Sequence, residues 1–108
     1  MTEETKEPEG IEAEIIATLK TIYDPEIPVN IYDLGLIYEI FTENLPKVEI
    51  EMSLTSPNCP MTDVIVYQIE NRLKLLEGVE EVMVDITFEP PWDKEMISEE
   101  GKLKLGLL

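Results

Sequence analysis

The chain has 108 residues, which suits one compact domain with a single small core. It carries 24 acidic and 8 basic residues and no histidine, for a formal net charge of −16 at pH 7. This charge repels nucleic-acid backbones and anionic membranes, and the lack of histidine removes the usual general base and the commonest nitrogen ligand for metals. We therefore expect no nucleic-acid partner and no membrane. The acidic, polar start of the chain and its single cysteine predict a cytoplasmic protein with a reduced thiol.

The N-terminal part of the chain divides into a tail and a first helix. Residues 1–10 show no periodicity and are predicted to form a disordered acidic tail, and residues 11–108 are predicted to form a single domain. Apolar residues at helical spacing predict a helix from Ile11 to Tyr23. The helix is expected to end at Asp24-Pro25, because a residue before proline is pushed out of the helical region.

A β-hairpin and a second helix are predicted next. The apolar stretch from Leu34 to Phe41 and the strict alternation from Val48 to Leu54 predict two strands joined across Asn44-Leu45-Pro46. From Met61 to Gly78 the period becomes helical. The apolar stripe of this helix consists of Met61, Val64, Ile65, Ile69, Leu73 and Leu76.

The last predicted elements are a third strand and a helical tail. Alternation from Val82 to Phe88 predicts the strand, which Pro90-Pro91 ends, and Ser98-Glu99-Glu100 is typical of a helix start. The order helix, strand, strand, helix, strand, with a short C-terminal helical tail, predicts a small two-layer α+β domain with a three-stranded sheet. The two helices should cover one sheet face, which leaves the other face or a sheet edge open to a partner or a second copy.

The stretch LTSPNCPM, residues 54–61, places Cys59 between two prolines where a strand gives way to a helix. If Asn58 or Cys59 caps that helix and Pro60 begins it, the sulfur lies beside unpaired backbone N–H groups, which favour the thiolate. The alternative is a small apolar plug under a turn. Without histidine a cysteine–histidine dyad cannot form within one subunit, so a thiol enzyme is disfavoured and no catalytic residue is assigned.

The loop DPEIPVNIYD, residues 24–33, is the second candidate for function. Prolines stiffen it, so that Asp24 and Glu26 can be aimed at a common point, and Cys59 is a candidate for that point. Carboxylates beside one thiolate can hold iron or zinc weakly and leave coordination positions open for a guest. The alternative is a solvated turn whose acidic residues have no role.

Three separated motifs stand in the chain in a fixed order. They are DPEIPVNIYDLGLIY at residues 24–38, LT followed by CPM within residues 54–61, and PPW followed by MISEE within residues 90–100. Together they resemble the SufT/PaaD-like family of iron–sulfur cluster assembly factors, over about residues 11–108. The resemblance implies a small α+β fold, a role in maturing or delivering clusters, and a reactive cysteine in a shallow pocket. Cys59 corresponds to that cysteine.

By this resemblance Asp24 and Glu26 match the acidic loop of the family, and Cys59 with these carboxylates is expected to hold iron or a transient iron–sulfur cluster. Asn58 stands where members often have glycine. The residues expected to line the pocket are Thr55, Ser56, Asn58, Tyr32 and Asp33. A second branch of the family serves a phenylacetyl-CoA oxygenase and tends to carry an additional cysteine-rich tail, which is not found in this sequence, so we expect the general assembly role.

These observations predict a non-enzymatic factor that handles iron or a cluster through Cys59, with iron–sulfur assembly proteins and apo-client proteins as partners. A metal-free adaptor that binds the same partners through its acidic surface is the alternative. A cluster usually takes four ligands, whereas one subunit offers one thiolate. A stable cluster is therefore expected to bridge a homodimer or to be completed by small thiols or by a client.

Overall fold

Three helices and three strands are found in this computed structural model, which describes residues 10–24, 27–55 and 62–107. The predicted α+β order, with its short C-terminal helix, is confirmed. The elements are α1 (Ile11–Leu19), β1 (Ile37–Phe41), β2 (Lys47–Met52), α2 (Thr62–Leu73), β3 (Glu81–Ile86) and α3 (Glu99–Leu105), with one 3₁₀ turn at Lys94–Met96 before α3.

The sheet has the strand order β1-β2-β3 and is mixed. β1 and β2 form the predicted antiparallel hairpin, whose turn includes a hydrogen bond from the Lys47 N–H to the Asn44 carbonyl, 2.9 Å long. β3 pairs with β2 in parallel, and α2 makes the crossover between them. As the crossover helix, α2 covers one face of the sheet and packs against β3. α1 packs against α2.

The core lies between the helices and the inner face of the sheet. β2 alternates as predicted, with Val48, Ile50 and Met52 fully buried and the residues between them half-exposed. From the helices, Ile15, Leu19, Ile65, Ile69 and Leu73 join the same cluster. Each such side chain stabilises the fold by about 1.5–3 kcal/mol relative to an exposed position, so this interface holds the two layers together.

The boundaries on both sides of the loop between α1 and β1 differ from the prediction because of backbone contacts in that loop, and α2 ends at Leu73 rather than at Gly78. α1 ends at Leu19 rather than at Tyr23, and the chain then turns until Tyr23 forms an isolated β-bridge with Asn30. β1 begins at Ile37 rather than at Leu34, since residues 31–35 form turns. At both ends of this loop, hydrogen bonds between loop residues take the place of regular helix or strand hydrogen bonds.

Two apolar residues predicted to face the core do not. Val64 is exposed, because it precedes the buried Ile65 by one residue and is therefore turned about 100° around α2. Phe88 lies beyond the end of β3 and is also exposed. Met61, predicted in the same helical stripe as Val64, falls outside the described residues.

The C-terminal segment is attached to the loop between α1 and β1. The Ser98 hydroxyl caps α3, as predicted, by accepting the Gly101 N–H at 3.1 Å, and the Ser98 N–H donates to the Asp33 carbonyl at 2.7 Å. The Trp92 indole N–H donates to the Leu34 carbonyl at 2.6 Å. Gly101 is buried, and a Cβ there would lie 2.7 Å from a methyl group of Ile97. Glycine at this helical position therefore permits close packing.

The predicted disordered tail corresponds almost entirely to residues 1–9, which lie outside the described residues, so this prediction and the single-domain boundary at residue 11 stay predictions. Within the part of the chain that the structure describes, no helix is long and apolar enough to cross a lipid bilayer. The cytoplasmic location stays a prediction as well.

Candidate functional site

The acidic loop is closed by backbone hydrogen bonds that join its two ends. The Ile31 N–H donates to the Ile22 carbonyl at 2.8 Å, next to the bridge between Tyr23 and Asn30. Asp24, at the start of the loop, is only 5% exposed, and its Oδ1 accepts the Ile27 N–H at 3.0 Å. The carboxylate of Asp24 therefore orders the first turn of this loop.

Asp33, predicted to line the pocket, lies at the centre of a buried polar network. It is 6% exposed; its Oδ2 accepts the Asn30 side-chain amide at 2.8 Å, and its Oδ1 accepts the Ser98 hydroxyl at 3.1 Å. The Asp33 N–H in turn donates to Asn30 Oδ1 at 2.8 Å. Oδ1 thus holds the loop to the C-terminal segment, and Oδ2 joins two residues of the loop itself. A role of Asp33 in a pocket stays a prediction.

Tyr32 lines a shallow groove on the other side of the loop. The groove has a volume of about 200 Å³, lies between α1 and β1, and is lined by Glu12, Ile16, Tyr32, Ile37, Tyr38, Glu39 and Ile40. The Lys20 ammonium lies 5.5 Å from the centre of the Tyr32 ring, a distance suited to a cation–π contact. Asp24 and Thr55 are not among the residues that line this groove, and a role of Tyr32 in a pocket with them stays a prediction.

The end of the acidic loop lies beside the start of the segment that carries the cysteine. Ile37 is paired with Met52, and the Ser53 N–H donates to the Leu36 carbonyl at 2.8 Å. Thr55, two residues further on, is half-buried. The motif of residues 24–38 and the motif of residues 54–61, separate in sequence, therefore meet at one end of the sheet.

Ser53 was not singled out by the sequence. It is fully buried. Among the buried side-chain oxygen and nitrogen atoms of the described residues, its Oγ alone has no hydrogen-bond partner. The sequence placed Ser53 with Glu49 and Glu51 on the polar side of β2, which indicates exposure. The signal that could have found it is its position directly before the motif that begins at Leu54.

The remaining predicted site residues, Cys59, Glu26, Ser56 and Asn58, lie outside the described residues. Their predicted meeting with Asp24 at an iron or cluster site is therefore not tested. Over residues 10–24, 27–55 and 62–107, no group of three or more histidine, cysteine, aspartate or glutamate side chains is arranged to hold a metal ion.

A comparison with protein families gives a match to the family described as "Iron-sulfur cluster assembly protein" over residues 12–85. The chain belongs to this family. The matched range contains the acidic loop, the hairpin, the motif around Cys59 and most of β3. The resemblance inferred from the three motifs is thereby confirmed.

Several relatives of this iron–sulfur cluster assembly protein carry functional names. A protein of Porphyromonas gingivalis named "Fe-S protein maturation auxiliary factor" is 48% identical, covering 90% of this chain and 92% of its own. The Bacillus subtilis "Fe-S protein maturation auxiliary factor YitW" is 33% identical, covering 92% and 97%. In Synechocystis, an "Iron-sulfur cluster carrier protein" is 32% identical over 76% of this chain but only 23% of its own.

A solved structure supports the same fold. The structure titled "Domain of Unknown Function DUF59 from Bacillus anthracis" superposes with a TM-score of 0.84 at 34% identity, covering 91% of this chain and 93% of that chain. The architecture described above is therefore that of an experimentally determined relative of nearly the same length.

Proposed function

We propose that this protein is a non-catalytic factor that helps to mature iron–sulfur proteins, and that it handles iron or a cluster transiently through Cys59 before the cargo reaches a client. The observation that carries the proposal is the 48% identity, over nearly the full length of both chains, to a protein named as a maturation auxiliary factor. Family membership over residues 12–85 supports the same role.

The contact between the acidic loop and the start of the cysteine segment supports a shared site for the cargo. Leu36, three residues after the loop, accepts a hydrogen bond from the N–H of Ser53, which lies six residues before Cys59. The loop that carries Asp24 and Glu26 is stiffened at its base by the bridge between Tyr23 and Asn30. A thiolate and carboxylates in one place would bind iron while leaving coordination positions open, as a delivery factor requires.

The number of thiols explains why the cargo would be held only transiently. The chain has one cysteine and no histidine, whereas a cluster usually takes four ligands. The missing ligands have to come from a second subunit, from small thiols or from the client. A cargo bound by one strong protein ligand can be passed on by exchange of that ligand, which suits a factor that delivers rather than stores.

One comparison favours the alternative, a metal-free adaptor. The Synechocystis carrier protein contains a region similar to this chain within a sequence several times longer. A domain of this type thus occurs joined to a cluster carrier. In a separate chain it would bind a carrier protein and a client together, and Cys59 would hold no metal.

Complementation separates the two proposals. Cells that lack the chain would carry the parent, Cys59→Ser or Cys59→Ala, and the activity of an iron–sulfur client enzyme would be measured together with the abundance of each variant. A Glu77→Gln variant, at an exposed position with no predicted role in the site, serves as the control. Transient handling through Cys59 predicts loss of client activity in both cysteine variants at normal abundance; full client activity with Cys59→Ala would establish the adaptor instead.

A further inference from the structure

The sheet face opposite α1 and α2, here called the outer face, carries an ordered arrangement of charged and apolar side chains. The alternation of β2 and β3 directs Val48, Ile50 and Val82 into the core and their sequence neighbours to the other side. The strand residues of the outer face that matter here are Glu39 and Phe41 of β1, Glu49 and Glu51 of β2, and Met83 and Asp85 of β3.

Strand register places these side chains in two rows that cross the sheet. Glu39 is paired with Glu51, and Glu51 with Asp85, which gives one row of three carboxylates. Paired side chains on adjacent strands are direct neighbours, and like charges in such pairs destabilise a sheet. The isolated fold gains nothing from this row, whereas a cationic partner placed across it would turn the repulsion into attraction.

The second row differs from the first because it is mostly apolar. Phe41 is paired with Glu49, and Glu49 with Met83. Phe41 is 37% exposed and Met83 is 42% exposed. Two large exposed apolar side chains thus flank one carboxylate beside the row of three more, so a protein partner that buries Phe41 and Met83 would also cover the carboxylates.

Charge decides which kind of partner fits the outer face. A second copy packed face to face would bring two rows of carboxylates together, and anionic lipid surfaces and nucleic acids are repelled by the same charges. The net charge of −16 attracts cationic surfaces from a distance and speeds their encounter with this chain. Apolar contacts at Phe41 and Met83 would then hold a protein partner in place.

We propose that the outer face is the docking surface for an iron–sulfur assembly partner whose contact surface carries lysine and arginine side chains around an apolar centre. This inference rests on the proposed function for the identity of the partner, but the chemistry of the surface follows from the strand register and exposure of the described residues.

The test uses a fluorescein-labelled amphipathic helical peptide of lysine and leucine as the probe, with binding measured by fluorescence anisotropy at low and high salt. The outer-face variant Glu39→Gln/Glu51→Gln/Asp85→Asn is compared with the control variant Glu14→Gln/Glu77→Gln/Glu100→Gln, which removes the same charge from exposed positions elsewhere. We expect the outer-face variant to bind about tenfold more weakly and with a smaller salt dependence, and the control to change less than about twofold.

A second variant and a spectrum make the result specific to this surface. Phe41→Thr/Met83→Thr keeps residues that suit a strand and should weaken binding without changing its salt dependence. Amide chemical shifts of the parent should change on addition of peptide at residues 39–41, 49–51 and 83–85. Equal weakening in the outer-face and control variants, shift changes confined to the helices, or a dimer in sedimentation that Phe41→Thr/Met83→Thr dissociates would each overturn the proposal.

The cell assay distinguishes failure of this inference from failure of the proposed function. The outer-face variant should lower client activity in cells while binding as much iron per chain as the parent in anaerobic reconstitution. If Cys59→Ala is fully active in cells, the proposal that Cys59 handles the cargo is wrong. The peptide-binding experiment then still tests the docking surface. If the outer-face variant is fully active in cells and Cys59→Ala is not, the docking surface is wrong and the proposed function stands.

Discussion

Asp33→Ala tests whether the acidic residue at the end of the motif DPEIPVNIYD serves structure or cargo. The substitution removes two hydrogen bonds, from the Asn30 amide at 2.8 Å and the Ser98 hydroxyl at 3.1 Å. A hydrogen bond to a charged group contributes about 1.5–3 kcal/mol, and the Asn30 amide would remain buried without its partner. We expect the free energy of unfolding to fall by about 3 kcal/mol.

The assay is urea unfolding followed by circular dichroism, with a thermal melt as a second measurement. For a domain of this size, a loss of about 3 kcal/mol lowers the melting temperature by about 12 °C or more. Asp93→Ala is the matched control, because Asp93 Oδ1 also accepts a backbone hydrogen bond, from Glu95 at 2.8 Å, but at an exposed position. That variant should lose no more than about 1 kcal/mol.

The reasoning about Asp33 would be refuted by either of two results. One is a loss below about 1 kcal/mol in Asp33→Ala, and the other is an equal loss in Asp93→Ala. Iron binding per folded chain gives the second half of the test. If Asp33 only holds the loop to α3, the folded fraction of Asp33→Ala binds ferrous iron as the parent does, whereas a pocket role predicts weaker binding in the folded fraction too.

Three further variants test the site and the packing. Cys59→Ser should stay within about 1 kcal/mol of the parent in urea unfolding, since serine is nearly isosteric, and a collapsed melting curve would make Cys59 structural. The double variant Asp24→Asn/Glu26→Gln should bind ferrous iron more weakly in equilibrium dialysis, because two candidate ligand charges are lost. Its thiol should react faster with iodoacetamide in metal-free buffer, because negative charge beside the thiol is removed. Unchanged iron affinity and alkylation rate would mean that the loop points away from Cys59. Gly35→Ala should cost about 2 kcal/mol or more, because Gly35 has φ +80° and a Cβ there would collide with the Met96 carbonyl; a smaller loss would mean that the segment of Met96 can shift.

The regular elements could be predicted because each one buries a periodic apolar stripe. The alternation of Val48, Ile50 and Met52 and the helical spacing of Ile65, Ile69 and Leu73 both correspond to fully buried side chains or nearly so. Hydrophobic burial is the main stabilising term, so a pattern that matches the period of an element indicates that element directly.

The ends of elements and the polar contacts could not be predicted, because they depend on residues distant in sequence. Asp33 was assigned to a pocket since a carboxylate in a loop indicates solvent or a ligand, yet its partner Ser98 is 65 residues away. Glycine has a low helix propensity, but at position 101 a Cβ would crowd Ile97 and the Asp33 carbonyl. This reason for glycine cannot be read from the local sequence. Of the predicted site, Asp24, Tyr32, Asp33 and Thr55 lie among the described residues, and the grouping of these residues with Cys59 stays a prediction.

The mixed sheet has a consequence for the order in which the chain acquires its fold. β1 and β2 are joined by a short turn, so their pairing closes a small loop, whereas β2 and β3 can pair only after the whole crossover through α2 has been ordered. We expect the hairpin to be formed in the folding transition state and the parallel pairing to follow it. Truncation of Ile50 to alanine should then slow refolding in stopped-flow experiments, while truncation of Val82 should mainly speed unfolding, so that the lifetime of the native protein is governed by how long β3 stays paired.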